Sequence, residues 1–228
     1  MSYIQKFDHV DILYQNHNIL VVDKPSGMLV HPAGKPGQDN LVEFFQKQLN
    51  DPEIRPVHRL DRLTSGLVIL AKNIETARFY GRVFSSANLE KVYLAQLNGP
   101  LLKDEGVLDN FLADDDTSVV KIKRKVAQEG QNAYTRFETI KTDAKHSYVK
   151  LFPKTGRRHQ LRVHMAHLGC PIVGDPIYDL GDDFYLSLIN STEPSPPMHL
   201  HAWQITTPVP GQEKNMTFES PYPSFWKI

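Results

Sequence analysis

The chain has 228 residues, of which 40% are hydrophobic, and its 26 basic and 26 acidic side chains give a formal net charge of zero. This composition excludes an intrinsically disordered chain, and no apolar run is long enough to span a bilayer or to form a signal peptide. The single cysteine, Cys170, excludes an intrachain disulfide, and we expect a buried thiol in a cytoplasmic protein.

The first half of the chain predicts short strands separated by two helices. Strands are expected where apolar runs lie between turn-forming residues, and helices where apolar residues recur at helical spacing after a capping asparagine. Asn40 and Asn73 are the predicted caps, and residues 31–37 form a loop rich in Gly and Pro. The predicted strands are 11–14, 19–23, 67–71 and 92–97, and the first helix is 41–49. In the second helix the buried face is expected to contain Ile74, Ala77, Tyr80 and Phe84.

The second half of the chain predicts mostly strands and a single helix. The strands are 121–126, 134–140, 147–152, 200–206 and 216–219. The helix is 157–168, with an apolar stripe of Leu161, Met165 and Leu168. Because strands outnumber helices and short connections join them, we predict an α+β fold with a largely antiparallel sheet, in one domain that covers residues 1–228.

A carboxylate between two arginines is the first candidate for chemistry. Asp61 lies between Arg59 and Arg62, in a polar segment that directly precedes the apolar run 67–70. Guanidinium groups nearby favour the ionised carboxylate, which can then act as a nucleophile or a base. The alternative is a surface ion cluster, because such clusters perturb carboxylates without any function.

A basic segment near the predicted helix 157–168 is the second candidate. From Lys141 to His167 there are seven Lys or Arg residues and one acid, Asp143. Arg158 and Arg162 share a face of the predicted helix near its N-terminus, where anions bind well, so one arginine can hold a carboxylate while the other holds a phosphate. The alternative is a basic helix start that is paired with surface acids.

Other chemistries have weak support in the sequence. His159, His164 and His167 lack a thiol or carboxylate that would complete a zinc site, and no GxGxxG, Walker or GxSxG motif is present. We therefore expect neither a metal nor a cofactor. Tyr93 is flanked by apolar residues that point to the opposite face of its strand, so its ring either packs in the core or lines a cleft where it stacks on a base.

Four ordered segments resemble the motifs of the RluA-type pseudouridine synthases. These segments are 24–32, 57–67, 91–95 and 155–164, and the last leads into 174–178. The resemblance extends from about residue 12 to residue 203. It implies a mixed, mainly antiparallel sheet with flanking helices and a central catalytic cleft.

The resemblance also implies an activity and a partner. Enzymes of this type isomerise uridine in RNA to pseudouridine without a metal or an organic cofactor. Many relatives carry an N-terminal S4 RNA-binding domain, for which too few residues precede the first predicted strand here. We expect a compact, cytoplasmic monomer that has no membrane partner and acts on ribosomal RNA, transfer RNA or both.

The resemblance assigns a role to individual residues. Asp61 matches the catalytic aspartate, and Arg162 matches the arginine that pairs with it. Tyr93 matches the tyrosine that packs on the target base, while Arg59 matches the arginine that replaces the flipped uridine in the RNA stack. Further contacts to RNA or to the base are expected from His58, Arg158, Leu161 and Ile172.

Two other functions remain open at this point. The first is an RNA-binding protein that keeps the cleft but lacks catalysis, which intact Asp61, Tyr93 and Arg162 disfavour. The second is a glycosidase, whose chemistry normally requires two carboxylates. Asp175 is the only second carboxylate that motif position suggests, and its Gly-Asp-Pro setting indicates a turn.

Overall fold

Antiparallel strand pairs make up most of the regular structure in the computed structural model, which describes residues 6–32, 39–85, 89–191 and 195–228. The chain forms two units. Of the described residues, the first unit contains those from 6 to 91 together with Ala202–Pro221, and the second contains those from 92 to 201 together with Tyr222–Ile228. No helix among the described residues is both long enough and apolar enough to cross a membrane.

The first unit is built on two neighbouring strands that are almost fully buried. Its strands are β1 (Asp11–Gln15), β2 (Ile19–Lys24), β3 (Arg55–Pro56), β4 (Ser65–Ala71), most of β10 (Leu200–Thr207), and β11 (Met216–Glu219). They lie in the order β1-β2-β4-β10, with β3 beside β4 and β11 beside β10. Nearly all side chains of β2 and β4 are buried, which confirms the prediction of a central strand at 67–71.

Two asparagines cap the helices of the first unit as predicted. The helices are α1 (Leu41–Gln48) and α2 (Ile74–Ser85). Asn40 accepts a hydrogen bond from the Glu43 N–H at 3.0 Å, and Asn73 accepts one from the Thr76 N–H at 2.8 Å.

The predicted buried face of α2 is wrong at its first position. Ile74 is exposed, whereas Thr76, Tyr80 and Val83 are buried. Tyr80 is fully buried and its hydroxyl donates to the Pro208 carbonyl at 3.1 Å, so this face of the helix is turned toward the core.

The second unit contains the remaining strands and two helices. The strands are β5 (Glu90–Asn98), which enters this unit at Val92, β6 (Glu105–Asp114), β7 (Arg124–Ala127), β8 (Gln131–Thr142) and β9 (His146–Pro153). Their order is β5-β9-β8-β6-β7, and each of these neighbouring pairs is antiparallel. The helices are α3 (Gln160–His167) and α4 (Asp182–Asn190). The predicted α+β class with mainly antiparallel pairing is confirmed, while the central cleft stays a prediction.

Several predicted boundaries in the second unit are wrong. The strand expected at 121–126 begins only at Arg124, because the residues before it form a turn. Helix α3 begins at Gln160, and its first six residues are all buried, so it has no single apolar stripe, and Leu168 beyond its end is only half-buried. Strand β6 and helix α4 were not predicted. Most of the loop predicted at 31–37 lies outside the described residues.

We predict that Gly66→Ala destabilises the protein strongly. Gly66 has a φ of +103°, and an added Cβ would lie 2.2 Å from the Ala202 carbonyl oxygen, in the backbone of the neighbouring strand. The free energy of unfolding in urea should fall by at least about 2 kcal/mol.

Gly81→Ala is the matched control. This glycine lies inside α2 with nothing within 4 Å of an added Cβ, so alanine should raise the free energy of unfolding by up to about 1 kcal/mol. Equal effects of the two substitutions would contradict the assigned backbone contact at Gly66.

Candidate functional site

The loop that carries Asp61 is tied to the loop that follows β2. The Gly27 N–H donates to the Arg62 carbonyl at 2.9 Å, and the Arg62 Nε donates back to the Gly27 carbonyl at 2.9 Å. The Ser26 hydroxyl donates to the Leu63 carbonyl at 2.7 Å. These bonds join two of the predicted motif segments, 24–32 and 57–67, within the first unit.

Lys24 forms the centre of this junction. Its side chain is fully buried, and its Nζ donates to the carbonyls of Pro25 at 3.0 Å, Met28 at 2.8 Å and Arg62 at 3.0 Å. Burial lowers the pKa of Lys24 to about 7, although the nearby Asp61 carboxylate favours the charged form. The ammonium thus links both loops and contributes to the electrostatic environment of Asp61.

His58 anchors the start of the Asp61 loop. Its Nε2 accepts a hydrogen bond from the Ile69 N–H at 2.9 Å, and its ring stacks on Phe84 with centroids 4.9 Å apart. Burial, together with the nearby Lys91, lowers the pKa of His58 to about 3. The ring is therefore neutral and carries its proton on Nδ1. Its predicted contact with RNA stays a prediction.

The two arginines beside Asp61 have different surroundings. Both arginines are exposed, but Arg62 is bonded to the Gly27 carbonyl as described above, and Leu60, next to Arg59, is buried. Asp61 itself is half-buried, and its carbonyl accepts from the Thr64 N–H at 3.1 Å. The segment thus fixes its backbone and the Arg62 side chain but leaves Arg59 accessible to a ligand.

Tyr93 lies on strand β5, directly opposite Leu151 of β9. Tyr93 is half-buried, whereas its neighbours Val92 and Leu94 are buried. This alternation agrees with the predicted orientation. The assigned contact with a base stays a prediction.

Arg162 is buried in the second unit and forms a bidentate ion pair. Its Nε donates to Asp175 Oδ2 at 2.7 Å and its Nη2 donates to Asp175 Oδ1 at 2.9 Å. The guanidinium also lies 5.2 Å from the centre of the Tyr178 ring. The carboxylate that glycosidase chemistry would require is therefore fully buried and neutralised by an arginine.

Arg158 does not share a helix face with Arg162. It precedes α3, and its guanidinium pairs with the Asp114 carboxylate at 2.5 Å, beside Arg124, which pairs with the same carboxylate at 3.1 Å. The alternative of a basic segment paired with surface acids therefore describes Arg158. A phosphate that binds Arg158 has to compete with Asp114.

The two remaining residues that were predicted to contact the base, Leu161 and Ile172, are both buried. Leu161 is 7% exposed, and Ile172 is fully buried and forms a bridge with Leu97. Their role as apolar walls of a base pocket stays a prediction.

The histidines of the basic segment have separate partners. His159 contacts the Tyr178 hydroxyl at 3.0 Å and His164 contacts the Thr135 hydroxyl at 3.0 Å. Burial, with His167 nearby, lowers the pKa of His164 to about 4. In the part of the chain that the structure describes, no group of three His, Cys, Asp or Glu residues is arranged to hold a metal ion.

Sequence reasoning missed two of the charged groups that organise these regions. Lys24 was noted only as part of a motif, and Asp175 was interpreted as a turn residue. The sequence contained a signal for each, because Lys24 ends an apolar strand and Asp175 lies inside an apolar segment. Charged side chains in such places are buried only when they have partners.

Comparison with known proteins identifies the family. The sequence model of the family described as RNA pseudouridylate synthase matches residues 18–167. The chain belongs to this family. The RluA-type resemblance that the motifs indicate is thereby confirmed.

Similar sequences occur in several bacteria. The chain is 37% identical over 179 residues to ribosomal large subunit pseudouridine synthase D of Borreliella burgdorferi, covering 74% of this chain and 54% of that protein. It is 38% identical over 176 residues to the dual-specificity RNA pseudouridine synthase RluA of Vibrio cholerae, with coverage of 74% and 68%. An uncharacterised RNA pseudouridine synthase of Haemophilus influenzae is 36% identical over 197 residues, with coverage of 86% and 81%.

The fold is similar to that of a solved human protein. Human RNA pseudouridylate synthase domain containing 1 superimposes with a TM-score of 0.78 at 25% identity, covering 95% of this chain and 84% of that one. The relatives differ in length, and this chain spans about half of the B. burgdorferi enzyme.

We predict that Lys24→Met lowers stability by an amount that grows with pH. The substitution leaves three carbonyls without their donor, which costs about 1–3 kcal/mol. The pKa of Lys24 is about 7 in the folded protein, against an ordinary value of 10.5, so the folded state releases the proton first. Wild type therefore gains stability as the pH rises between these values, and the methionine variant lacks this gain.

The measurement is urea unfolding of both proteins at several pH values from 6 to about 10. Lys47→Met, at an exposed position of α1, controls for the change of residue itself. A wild-type advantage that stays constant with pH would contradict the lowered pKa of Lys24.

Proposed function

We propose that this chain converts uridine in RNA to pseudouridine. The observation that carries the proposal is the Asp61 loop, whose motif residues match the family and whose backbone is fixed by Lys24, Gly27 and His58. A carboxylate on a fixed backbone is what a nucleophile or base requires, because the reacting atom must be positioned closely.

The reaction requires a nucleotide that has left the RNA stack. The N1–C1′ glycosidic bond breaks, the base rotates, and C5 joins C1′, so the enzyme must reach atoms that stacking hides. Extruding the nucleotide costs a few kcal/mol, roughly, and contacts with RNA must offset this cost. The exposed Arg59 fits the role of a side chain that fills the vacated place.

The catalytic roles follow the family motifs. Asp61 acts on the uridine, by attack on C1′, by addition to C6 or by removal of a proton from C2′. Arg162 is assigned to pair with Asp61, and Tyr93 is assigned to pack on the base. The half-buried residues Asp61 and Tyr93 are each compatible with these roles within their own unit.

The proposed substrate class is ribosomal RNA, transfer RNA or both. The names of similar proteins refer to the ribosomal large subunit and to tRNA, as in the tRNA pseudouridine(31) synthase of Saccharomyces cerevisiae. We further propose a monomer that acts in the cytoplasm. The single cysteine, Cys170, is buried and unpaired, which is consistent with a reducing compartment.

We predict that Asp61→Asn abolishes pseudouridine formation while RNA binding persists. Losing the charged carboxylate should lower the rate by at least about a thousandfold, because asparagine can neither attack nor accept a proton. The measurement is pseudouridine mapping across unmodified ribosomal and transfer RNA transcripts, with and without the protein.

Glu75→Gln, which changes an exposed acid on α2, is the matched control and should keep wild-type activity. Activity that survives in the Asp61→Asn variant would refute the assigned role of Asp61. A wild-type protein that modifies no position in either RNA class would refute the proposed substrates.

We predict that Arg59 contributes to RNA binding, whereas Arg62 contributes to stability. Arg59→Ala should raise the Kd for RNA about tenfold and leave stability unchanged, because it removes an exposed cation that stacks with RNA. Arg62→Ala should lower the unfolding midpoint, because Arg62 donates to the Gly27 carbonyl. Its Kd should stay within about twofold of wild type. Equal effects of both variants on the Kd would contradict this division.

A further inference from the structure

The guanidinium of Arg162 is held in one orientation by a carboxylate behind it. Arg162 is 5% exposed and Asp175 is fully buried. The two parallel bonds, at 2.7 and 2.9 Å, occupy Nε and Nη2 and so fix both the position and the plane of the guanidinium. They involve two of the five N–H hydrogens of the arginine, one from Nε and one from Nη2.

Asp175 is itself fixed by the backbone of the turn in which it lies. Its Oδ1 also accepts from the Ile177 N–H at 2.9 Å and the Tyr178 N–H at 3.1 Å. The preceding Gly174 has a φ of +75°, and a Cβ there would lie 2.2 Å from the Pro197 carbonyl oxygen. The carboxylate therefore has little freedom to move with the arginine.

Tyr178 limits the guanidinium from a further side. Its ring centre lies 5.2 Å from Arg162 Cζ, and its hydroxyl accepts from the Arg124 N–H at 2.9 Å and contacts His159 Nδ1 at 3.0 Å. His159 directly precedes α3 and has a φ of +58°, an uncommon conformation for a residue other than glycine. The ring that packs near the guanidinium is thus held at its own far end.

Stability alone explains this arrangement poorly. A buried ion pair is often no more stabilising than well-packed apolar residues of the same volume. Arg162 is also the third residue of α3, close to the end where the helix dipole disfavours a cation. What the ion pair provides is a permanently charged group in a fixed place.

We propose that Asp175 is a positioning residue for the reaction, which acts by orienting the Arg162 guanidinium, and that the Tyr178 ring restricts the same group. This inference rests on the proposed function, in which Arg162 pairs with the catalytic carboxylate. Asp175 acts through Arg162 and touches no reacting atom, so its removal should slow the chemical step without changing RNA affinity.

The test is a double-mutant cycle of Asp175→Asn and Arg162→Gln in the full chain. Single-turnover pseudouridine formation is measured on unmodified ribosomal and transfer RNA transcripts, together with the Kd for RNA and the unfolding midpoint. Asp175→Asn should lower the rate about a hundredfold with the Kd within about twofold. In the Arg162→Gln background the same change should alter the rate by less than about twofold, because the group that Asp175 positions is already absent.

Asp179→Asn is the matched control for a purely structural role. Asp179 lies in the same turn, where it accepts hydrogen bonds from the Gly174 N–H at 2.9 Å and from the Asn98 side chain at 3.0 Å. This variant should lower the unfolding midpoint but keep the wild-type rate. Equal rate losses in the Asp175 and Asp179 variants, or additive losses in the cycle, would overturn the proposal.

A measurement that does not depend on enzymatic activity tests this inference separately from the proposed function. The ¹⁵Nε–Hε resonance of Arg162, assigned by its loss in Arg162→Gln, should exchange slowly with water in wild type and rapidly in Asp175→Asn. If wild type forms no pseudouridine, the proposed function fails, and this resonance still decides whether Asp175 orients the guanidinium. An unchanged exchange rate would overturn the positioning role.

A second variant covers the case in which Asp175→Asn does not fold. Tyr178→Leu removes the ring near the guanidinium and leaves the ion pair in place. A slower chemical step with unchanged RNA affinity supports the proposal, and a wild-type rate overturns it.

Discussion

A buried ammonium holds the segment on which the proposed chemistry depends. Lys24 is the last residue of a mostly buried strand, and its Nζ donates to three main-chain carbonyls from two loops. A charge in the core is tolerated only with such partners, so the two loops must keep their present geometry as long as the lysine is buried. The backbone around Asp61 is therefore determined by the core rather than by the surface loop itself.

The second unit also buries a cation, but with a different kind of partner. There the buried cation is a guanidinium, and its partner is a carboxylate whose remaining capacity is used by main-chain N–H groups. Lys24 fixes a backbone, because its ammonium bonds only carbonyls. Arg162 is itself fixed, because a bidentate pair defines a plane as well as a position. The compact ammonium of Lys24 thus suits a structural role in the first unit. The planar guanidinium of Arg162 suits a role in which the orientation of the group matters.

Local signals in the sequence predicted much of this fold. Asparagine caps and short apolar runs located α1, α2, β2 and β4, because these signals depend on neighbouring residues only. Strand β6 was not predicted, because Gly106, Asp109 and Asn110 are poor strand formers. The strand is defined instead by its pairing with β8, whose residues lie some 25 positions later in the chain. Helix α4 has no buried residue, and its apolar and aromatic residues at 184–186 and 188–189 form a nearly unbroken run, a pattern that does not distinguish a helix from a strand.

The candidate site shows where motif reasoning reaches its limit. Residue type and order identified Asp61 and Arg162, but neither reveals which cations are already neutralised. Arg158 and Arg162 look equivalent in sequence, four residues apart, yet one pairs with an exposed acid and the other with a buried one. An exposed pair can exchange its carboxylate for a phosphate at little cost, whereas breaking a buried pair leaves an uncompensated charge in the core. Arg158 is therefore suited to bind RNA transiently, and Arg162 is suited to stay where it is throughout the reaction.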